Sequence, residues 1–198
     1  MKVIGITGGV GAGKSKVLKL IEDKCKCIII RADELAKQLE LKGEVCYLPL
    51  IKLLSESILN EDGDIDPAKM ASAIFENDDK QILNRVNEII HPEVKNRIIS
   101  MIEEERRKDI IDYFFIEAAL LIEDNYEKIC DELWYIFADR ETRSNRLKET
   151  RGYSDEKISG IMASQLDEDT FRQHCRVTID NSGSLEDTIA QIDALLVQ

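Results

Sequence analysis

Along the first part of the chain the apolar positions change period several times. Lys2-Val3-Ile4-Gly5-Ile6-Thr7 is a short β-branched run that predicts a buried strand. Val17, Leu18 and Ile21 then recur at helical spacing within Lys16 to Glu22, which predicts a helix with one buried face. Cys27-Ile28-Ile29-Ile30 predicts a second strand, and Glu34 to Leu39 a helix after it. Across 43–60, which reads as mainly helical, Val45, Leu48, Ile51, Leu54, Ile58 and Leu59 repeat at helical spacing. Asn60-Glu61-Asp62-Gly63-Asp64 reads as a turn, since the downstream glutamate of a calcium loop is missing. Asp66-Pro67 has the cap-then-proline order of a helix start, with Met70, Ala73, Ile74 and Phe75 as the buried face. Asp78 or Asp79 is expected to start another helix, carrying Ile82, Leu83, Val86, Ile89 and Ile90. His91-Pro92 is expected to break or kink that helix, because proline lacks a donor and disfavours helix in the residue before it. Val94 to Lys108 then resumes as an amphipathic helix.

The second half alternates more regularly. Ile110 to Ile116 predicts a buried strand ending at Glu117, Leu133 to Ala138 a fourth strand, and Val177 to Asp180 a last one. Asp139 is placed to cap a basic helix from Arg140 to Thr150, Arg151 to Ser154 form a turn, and Ser154 starts a further helix ending near Ser164-Gln165. Leu185, Ile189, Ile192 and Leu196 give a C-terminal amphipathic helix. Strands alternating with helices predict an α/β fold with a parallel sheet.

Composition narrows the class. The 198 residues suffice for one α/β domain with a substantial core. No apolar run approaches the roughly 20 residues that cross a bilayer, and Lys2 opening the first strand leaves no room for a leader, so a cytoplasmic location is expected. The net charge of −12 argues against a nucleic-acid binder. Within this acidic chain, Arg140, Arg143, Arg146, Lys148 and Arg151 face only Glu141 and Glu149, a local excess of cations suited to a phosphate lid. The five cysteines are scattered, with no C-x-x-C; Cys25-x-Cys27 lacks a second ligand pair, so free thiols are expected.

The stretch with the most specific chemistry is Gly8-Gly9-Val10-Gly11-Ala12-Gly13-Lys14-Ser15, which fits G-x-x-x-x-G-K-[ST] between a strand and a helix, the context that motif requires. Glycines let backbone N–H groups curl around phosphate oxygens, and the helix N-terminus adds partial positive charge. Lys14 is placed to reach the β and γ oxygens of ATP, and the Ser15 hydroxyl to bind Mg²⁺. Parallel sheets collect ligands at the carboxyl ends of their strands, and Asp33 follows the second strand there. The same aspartate is also a candidate helix N-cap. Glu117 repeats this placement after the third strand.

Taken together, the glycine loop, Ala32-Asp33, His91-Pro92, Leu120-Leu121-Ile122-Glu123, Arg146-Leu147, Gln165 and Val177 to Gly183 resemble the dephospho-CoA kinase family over nearly the whole chain. The resemblance implies a P-loop NTPase fold, a three-layer α/β/α core with a helical CoA-binding insertion and a helical lid. It implies transfer of the γ-phosphoryl of ATP to the 3′-hydroxyl of dephospho-CoA, with ATP and Mg²⁺ as cofactors. Carried onto this chain, Val10, Gly11, Ala12, Gly13, Lys14, Ser15 and Lys16 hold the ATP phosphates, Asn181 borders the adenine, and Asp33, His91 and Leu120 meet the substrate. Asp33 orients or deprotonates the 3′-hydroxyl, with Lys14 and Arg146 as the other catalytic groups. Residues 1–39, 110–138 and 175–198 are expected to form the nucleotide-binding core, 40–109 the mainly helical CoA-binding region, and 139–174 the lid and following helices.

Four positions depart from the family pattern. Arg31 replaces the usual first Asp of Asp-Ala-Asp, two residues from Asp33 and able to pair with it and lower its basicity. Ala119 replaces a Pro and Ile122 a Phe in the Pro-Leu-Leu-Phe-Glu stretch, Arg143 replaces a common lid Gln, and Thr150 stands where a second lid Arg is usual, with Arg151 one step on. Beside dephospho-CoA, a nucleoside or nucleotide acceptor on the same core and a non-catalytic nucleotide-binding regulator stay open. A monomer, with weak oligomerisation as the variant, and no nucleic-acid or membrane partner complete the expectations.

Overall fold

The computed structural model describes residues 1–75 and 80–196. In chain order it holds β1 (Lys2–Thr7), α1 (Lys14–Glu22), β2 (Cys27–Arg31), α2 (Ala32–Leu39), α3 (Tyr47–Leu54), α4 (Pro67–Phe75), α5 (Lys80–Lys108), β3 (Tyr113–Glu117), β4 (Glu132–Phe137), α6 (Arg140–Arg151), α7 (Asp155–Ala163), α8 (Glu168–His174), β5 (Val177–Asp180) and α9 (Leu185–Leu196). The backbone divides into two compact units, Met1–Ile29 with the chain from Glu105 onward, and Ile30–Glu104.

The first unit is built on a five-stranded sheet in the order β2-β3-β1-β4-β5. The pairings of β1 with β3, β1 with β4, and β4 with β5 are all parallel. Alternation along β1 sends Ile4 and Ile6 to one face, where they pack with Phe115, Trp134, Ile136 and Ile179 against Val17, Leu18 and Ile21 of α1 and Ile192 of α9. On the other face Tyr135 stacks on Phe171 of α8, ring centroids 4.6 Å apart. Helices therefore cover both faces, the arrangement expected of a parallel sheet whose strands are apolar on both sides. The strand ends are fixed by specific bonds. The Asp131 carboxylate accepts the Val3 N–H at 2.7 Å, and the Val3 carbonyl accepts the Asp131 N–H at 2.8 Å.

The second unit is helical, and here several expectations fail. The structure has no break at His91-Pro92: α5 runs through Pro92 as one helix. Val86, Ile90, Val94, Ile98 and Ile102 form an unbroken i, i+4 row of buried side chains across the proline. Burying each contributes about 1.5–3 kcal/mol, which together outweighs the roughly 3 kcal/mol cost of one helical proline. In 43–60 the helix is only Tyr47–Leu54, followed by a 3-10 turn at Glu56–Ile58, and its buried residues are Tyr47, Leu50 and Leu54. Val45 and Leu48 are exposed, since the apolar residues there cover more than one helical stripe and the packed stripe begins at Tyr47. Phe75, expected inside, is also exposed, while Met70 and Ile74 of the same helix are buried. The expected helix start at Asp78 or Asp79 lies outside the described residues.

Two smaller differences concern the first unit. β3 begins at Tyr113 and leaves Ile110 exposed, and the segment after α7 carries α8, a short helix with Phe171 as its buried anchor. All five cysteines are free. Burial pushes the thiols of Cys27 and Cys175 up to about 12 and that of Cys46 up to about 11. Among the described residues no cluster of three or more His, Cys, Asp or Glu side chains is arranged to hold a metal, and no helix is long and apolar enough to cross a membrane.

Leu18 is fully buried beneath the sheet and Leu48 is 71% exposed. Leu18→Ala is expected to lower unfolding stability by about 2–5 kcal/mol, and Leu48→Ala to change it by no more than about 0.5 kcal/mol. Urea unfolding of the two variants checks the burial pattern, and equal losses would contradict it.

Candidate functional site

The glycine loop leaves the carboxyl end of β1, the middle strand of the sheet, and enters α1 at Lys14. Gly13 is the N-cap residue, with φ 90° and ψ 26°, a left-handed conformation that L side chains rarely adopt. A Cβ on Gly13 would also overlap the Asn181 amide nitrogen. No side chain caps α1, and its first turn carries no acidic residue. The N-terminus of this helix is thus left to an anion, which is the condition a phosphate site requires. Lys14 donates from Nζ to the Gly8 carbonyl at 2.7 Å, so its ammonium is held over the loop. Ser15 follows at the second helical position with an exposed side chain. The Thr7 hydroxyl, at the last residue of β1, is buried with no hydrogen-bond partner.

The outer side of the loop is held by side chains that arrive from far along the sequence. Arg143 donates from Nε to the Val10 carbonyl at 2.9 Å and from Nη2 to the Gln165 carboxamide oxygen. Arg146 donates to the Ala12 carbonyl at 3.3 Å and to the Asn181 carbonyl at 2.8 Å. Asn181 donates its side-chain amide to the same Ala12 carbonyl at 2.8 Å. The Thr188 hydroxyl lies 3.1 Å from Asn181 Oδ1, which fixes the amide so that its nitrogen faces the loop. Asn181 and Thr188 are both buried.

Helix α6 is positioned to deliver these arginines. The Asp139 carboxylate accepts the Thr142 N–H at 2.7 Å and the Thr142 hydroxyl at 2.9 Å, and the Asp139 N–H is taken by the Ser182 hydroxyl at 2.9 Å. The Thr142 N–H is the main reason the Asp139 carboxyl is held below its ordinary range. Burial draws the Arg143 guanidinium below its ordinary range. Gly152, left-handed at φ 62°, ends the helix, and Ser154 caps α7.

Within the first unit, then, Val10 to Lys16 form one loop and helix start to which Arg146 and Asn181 are bonded. Leu120, also of the first unit, follows β3 and is 42% exposed. Asp33 and His91 belong to the second unit. Asp33 is the second residue of α2 and exposed; the N-cap is Arg31, so a capping role for Asp33 is corrected. In the first turn of α2, Asp33 and Glu34 complement the helix dipole. The Arg31 guanidinium lies 4.0 Å from the Glu34 carboxylate. His91 is half-buried in the middle of α5. Thr188 and the part Gln165 plays emerge only in the folded chain. A polar residue on the buried stripe of α9, three after Leu185 and four before Ile192, was the available signal for Thr188.

A parallel sheet with this loop on its central strand, an uncapped helix beneath the phosphate position and a basic helix behind it defines a P-loop kinase. A family model described as dephospho-CoA kinase matches residues 2–187. A dephospho-CoA kinase of Carboxydothermus hydrogenoformans is 34% identical over 99% of this chain and 93% of its own. One of Bacillus licheniformis is 35% identical over 98% of this chain and 94% of its own. The crystal structure of TT1252 from Thermus thermophilus, 28% identical, superposes with a TM-score of 0.79 over 99% of this chain and 96% of that one. The chain belongs to the dephospho-CoA kinase family, and so to the ATP-dependent phosphotransferases.

Thr188→Val keeps shape but leaves the buried Asn181 oxygen without its donor. It is expected to weaken ATP binding by about tenfold, the size of one buried hydrogen bond, with Thr188→Ser close to the unaltered protein. Fluorescent-nucleotide titration checks this, and a valine variant that binds ATP normally would separate Thr188 from the loop.

Proposed function

We propose that this chain transfers the γ-phosphoryl group of ATP to the 3′-hydroxyl of dephospho-CoA, giving coenzyme A and ADP. Family membership across nearly the whole chain supports the reaction, and the glycine loop is the single structural observation that carries it. Its left-handed Gly13, uncapped helix start and tethered Lys14 suit a triphosphate. Val10 to Lys16 hold the phosphates, and Lys14 neutralises the β and γ oxygens. Ser15 is the residue that would hold Mg²⁺, which would supply further neutralisation of phosphate charge.

In the chemical step the 3′-oxygen forms a bond to the γ-phosphorus as the bond to the β–γ bridging oxygen breaks. The hydroxyl proton passes to the Asp33 carboxylate and ADP leaves with the bridging oxygen. A ribose hydroxyl is a poor nucleophile at neutral pH, so a carboxylate that orients it and takes its proton late contributes about 10²–10⁴-fold. Arg146, bonded here to the Ala12 and Asn181 carbonyls, is assigned to steady the transferring group once it leaves those carbonyls for bound ATP, and Asn181 borders the adenine. His91 and Leu120 are assigned to contact with the acceptor, and the helical stretch 40–109 to binding the CoA moiety. The enzyme acts as a monomer in the cytoplasm, without nucleic-acid or membrane partners.

Coupled ADP release with ATP, Mg²⁺ and dephospho-CoA, with AMP and adenosine as parallel acceptors, tests the substrate. ADP is expected only with dephospho-CoA, with coenzyme A as product. Turnover of AMP or adenosine instead would assign the core to a nucleotide or nucleoside kinase, and ATP binding without any ADP would leave a regulator. Asp33→Asn is expected to lower kcat by at least about a hundredfold and leave ATP affinity within about twofold. Unchanged kcat would remove Asp33 from the chemistry.

A further inference from the structure

Five cations on or near α6 suggest a helix that turns its charge toward phosphates, but Arg143 is used differently. Its Nε donates to the Val10 carbonyl at 2.9 Å and its Nη2 to Gln165, in the segment between α7 and α8. Carbonyl and N–H of one trans peptide point to opposite sides. With the Val10 carbonyl turned to Arg143, the Gly11 N–H of the same peptide points away from the guanidinium, to the inner side of the loop. The Ala12 carbonyl, held by Arg146 and Asn181, turns the Gly13 N–H in the same way.

Gly9 adds an independent observation. The loop motif leaves this position open to any residue. Its φ lies outside the left-handed range, unlike those of Gly8, Gly11 and Gly13, so φ does not demand glycine there. What a Cβ at Gly9 would meet is the Arg143 guanidinium: Nη2, Cζ and Nη1 are the three nearest atoms, all inside contact distance. At Gly11 the same helix is close again, with the Arg143 carbonyl oxygen 3.0 Å and Leu147 Cγ 3.2 Å from the Cβ position. Helix α6 therefore lies directly against residues 9–11, with the guanidinium filling the space that a side chain at position 9 would take.

We infer that Arg143 is a positioning residue for ATP: anchored by Gln165, it fixes the Val10–Gly11 peptide with its N–H toward the phosphates, and Gly9 is glycine to admit the guanidinium. This inference rests on the proposed role of the loop in binding ATP. A guanidinium suits the task because its donors sit in a rigid fork and reach two acceptors at once, which an ammonium cannot do. Loss of the charged donor would let the peptide turn and would leave a partly buried carbonyl without its partner.

The test is a double-mutant cycle read by equilibrium titration of ATP, with steady-state KM for dephospho-CoA measured in parallel. Arg143→Ala and Gly9→Ala are each expected to weaken ATP binding about tenfold, the first by removing the donor and the second by displacing it. Because both act on one contact, the double variant is expected to bind ATP no more than about twofold worse than the weaker single. KM for dephospho-CoA is expected to stay within about twofold throughout, which a general loosening of the fold would not allow. Gln165→Ala, which leaves the loop's own contacts intact, is expected to weaken ATP about threefold, with no further effect in the Arg143→Ala background. Arg143→Lys is expected to remain as weak as Arg143→Ala. Losses that multiply to about a hundredfold in the double variant, ATP affinity unchanged in Arg143→Ala, or full rescue by lysine would overturn the inference. Lys14→Ala serves as the reference. If it too leaves ATP binding unchanged, the assignment of the loop itself fails; if it abolishes binding while Arg143→Ala leaves ATP affinity unchanged, only the role of Arg143 fails.

Discussion

A phosphate site made of backbone amides has two sides, and both must be satisfied. Each N–H turned toward the anion sends a carbonyl of the same peptide to the back, because the peptide is planar and trans. A partly buried carbonyl left without a donor costs about 1–3 kcal/mol, enough to turn the peptide over and lose the site. In this chain the carbonyls of Val10 and Ala12 are met by Arg143, and by Arg146 together with Asn181. The glycines make the curve possible, but these donors decide which way its amides face.

Much of the layout of the first unit follows from that requirement. Helix α6 must come within contact distance of residues 9–11, so its start is fixed twice, by Asp139 capping Thr142 and by Ser182 holding the Asp139 N–H. The turn after β5 must bring Asn181 to the loop, so its amide is fixed by Thr188 from α9. The basic character of α6 then divides by face. Arg143 and Arg146 turn to loop carbonyls, while Arg140, Lys148 and Arg151 are exposed, Lys148 paired with Asp155 at 2.6 Å. An exposed pair of that kind contributes no more than about 1 kcal/mol, so the two inward arginines matter more to the fold than the others.

What could be read from the residues alone was what is encoded within a few positions. Strand, glycine loop and helix stand next to one another from Lys2 to Glu22, and each has its own period or conformational demand. The alternation of strands and helices gave the parallel sheet for the same reason. The back of the loop was not legible, since Arg143, Asn181 and Thr188 become its partners only through the folded sheet. In the helical stretch the difficulty was different. Pro92 is a strong local signal for a break, yet the row from Val86 to Ile102 overrides it by packing. The apolar residues around Leu48 outnumber the positions one buried face can take, so period alone could not choose Tyr47, Leu50 and Leu54. Helix α8 has seven residues and one apolar anchor, too short a stretch for any period to show.

The Ala12 carbonyl finds its Asn181 donor 169 residues further along, and Val10 finds Arg143 at a separation of 133. Contacts so distant in sequence are slow to form, because the intervening chain must first be confined. A ribosome releases the loop well before the strand end and helix that orient it. During synthesis the nucleotide site must therefore wait, its glycines exposed and its peptides free to turn, until β5 and α9 have emerged. A nascent chain stopped ahead of β5 carries the complete phosphate motif but lacks two of the residues that make it a site, so competence to bind arrives late and all together rather than growing with length.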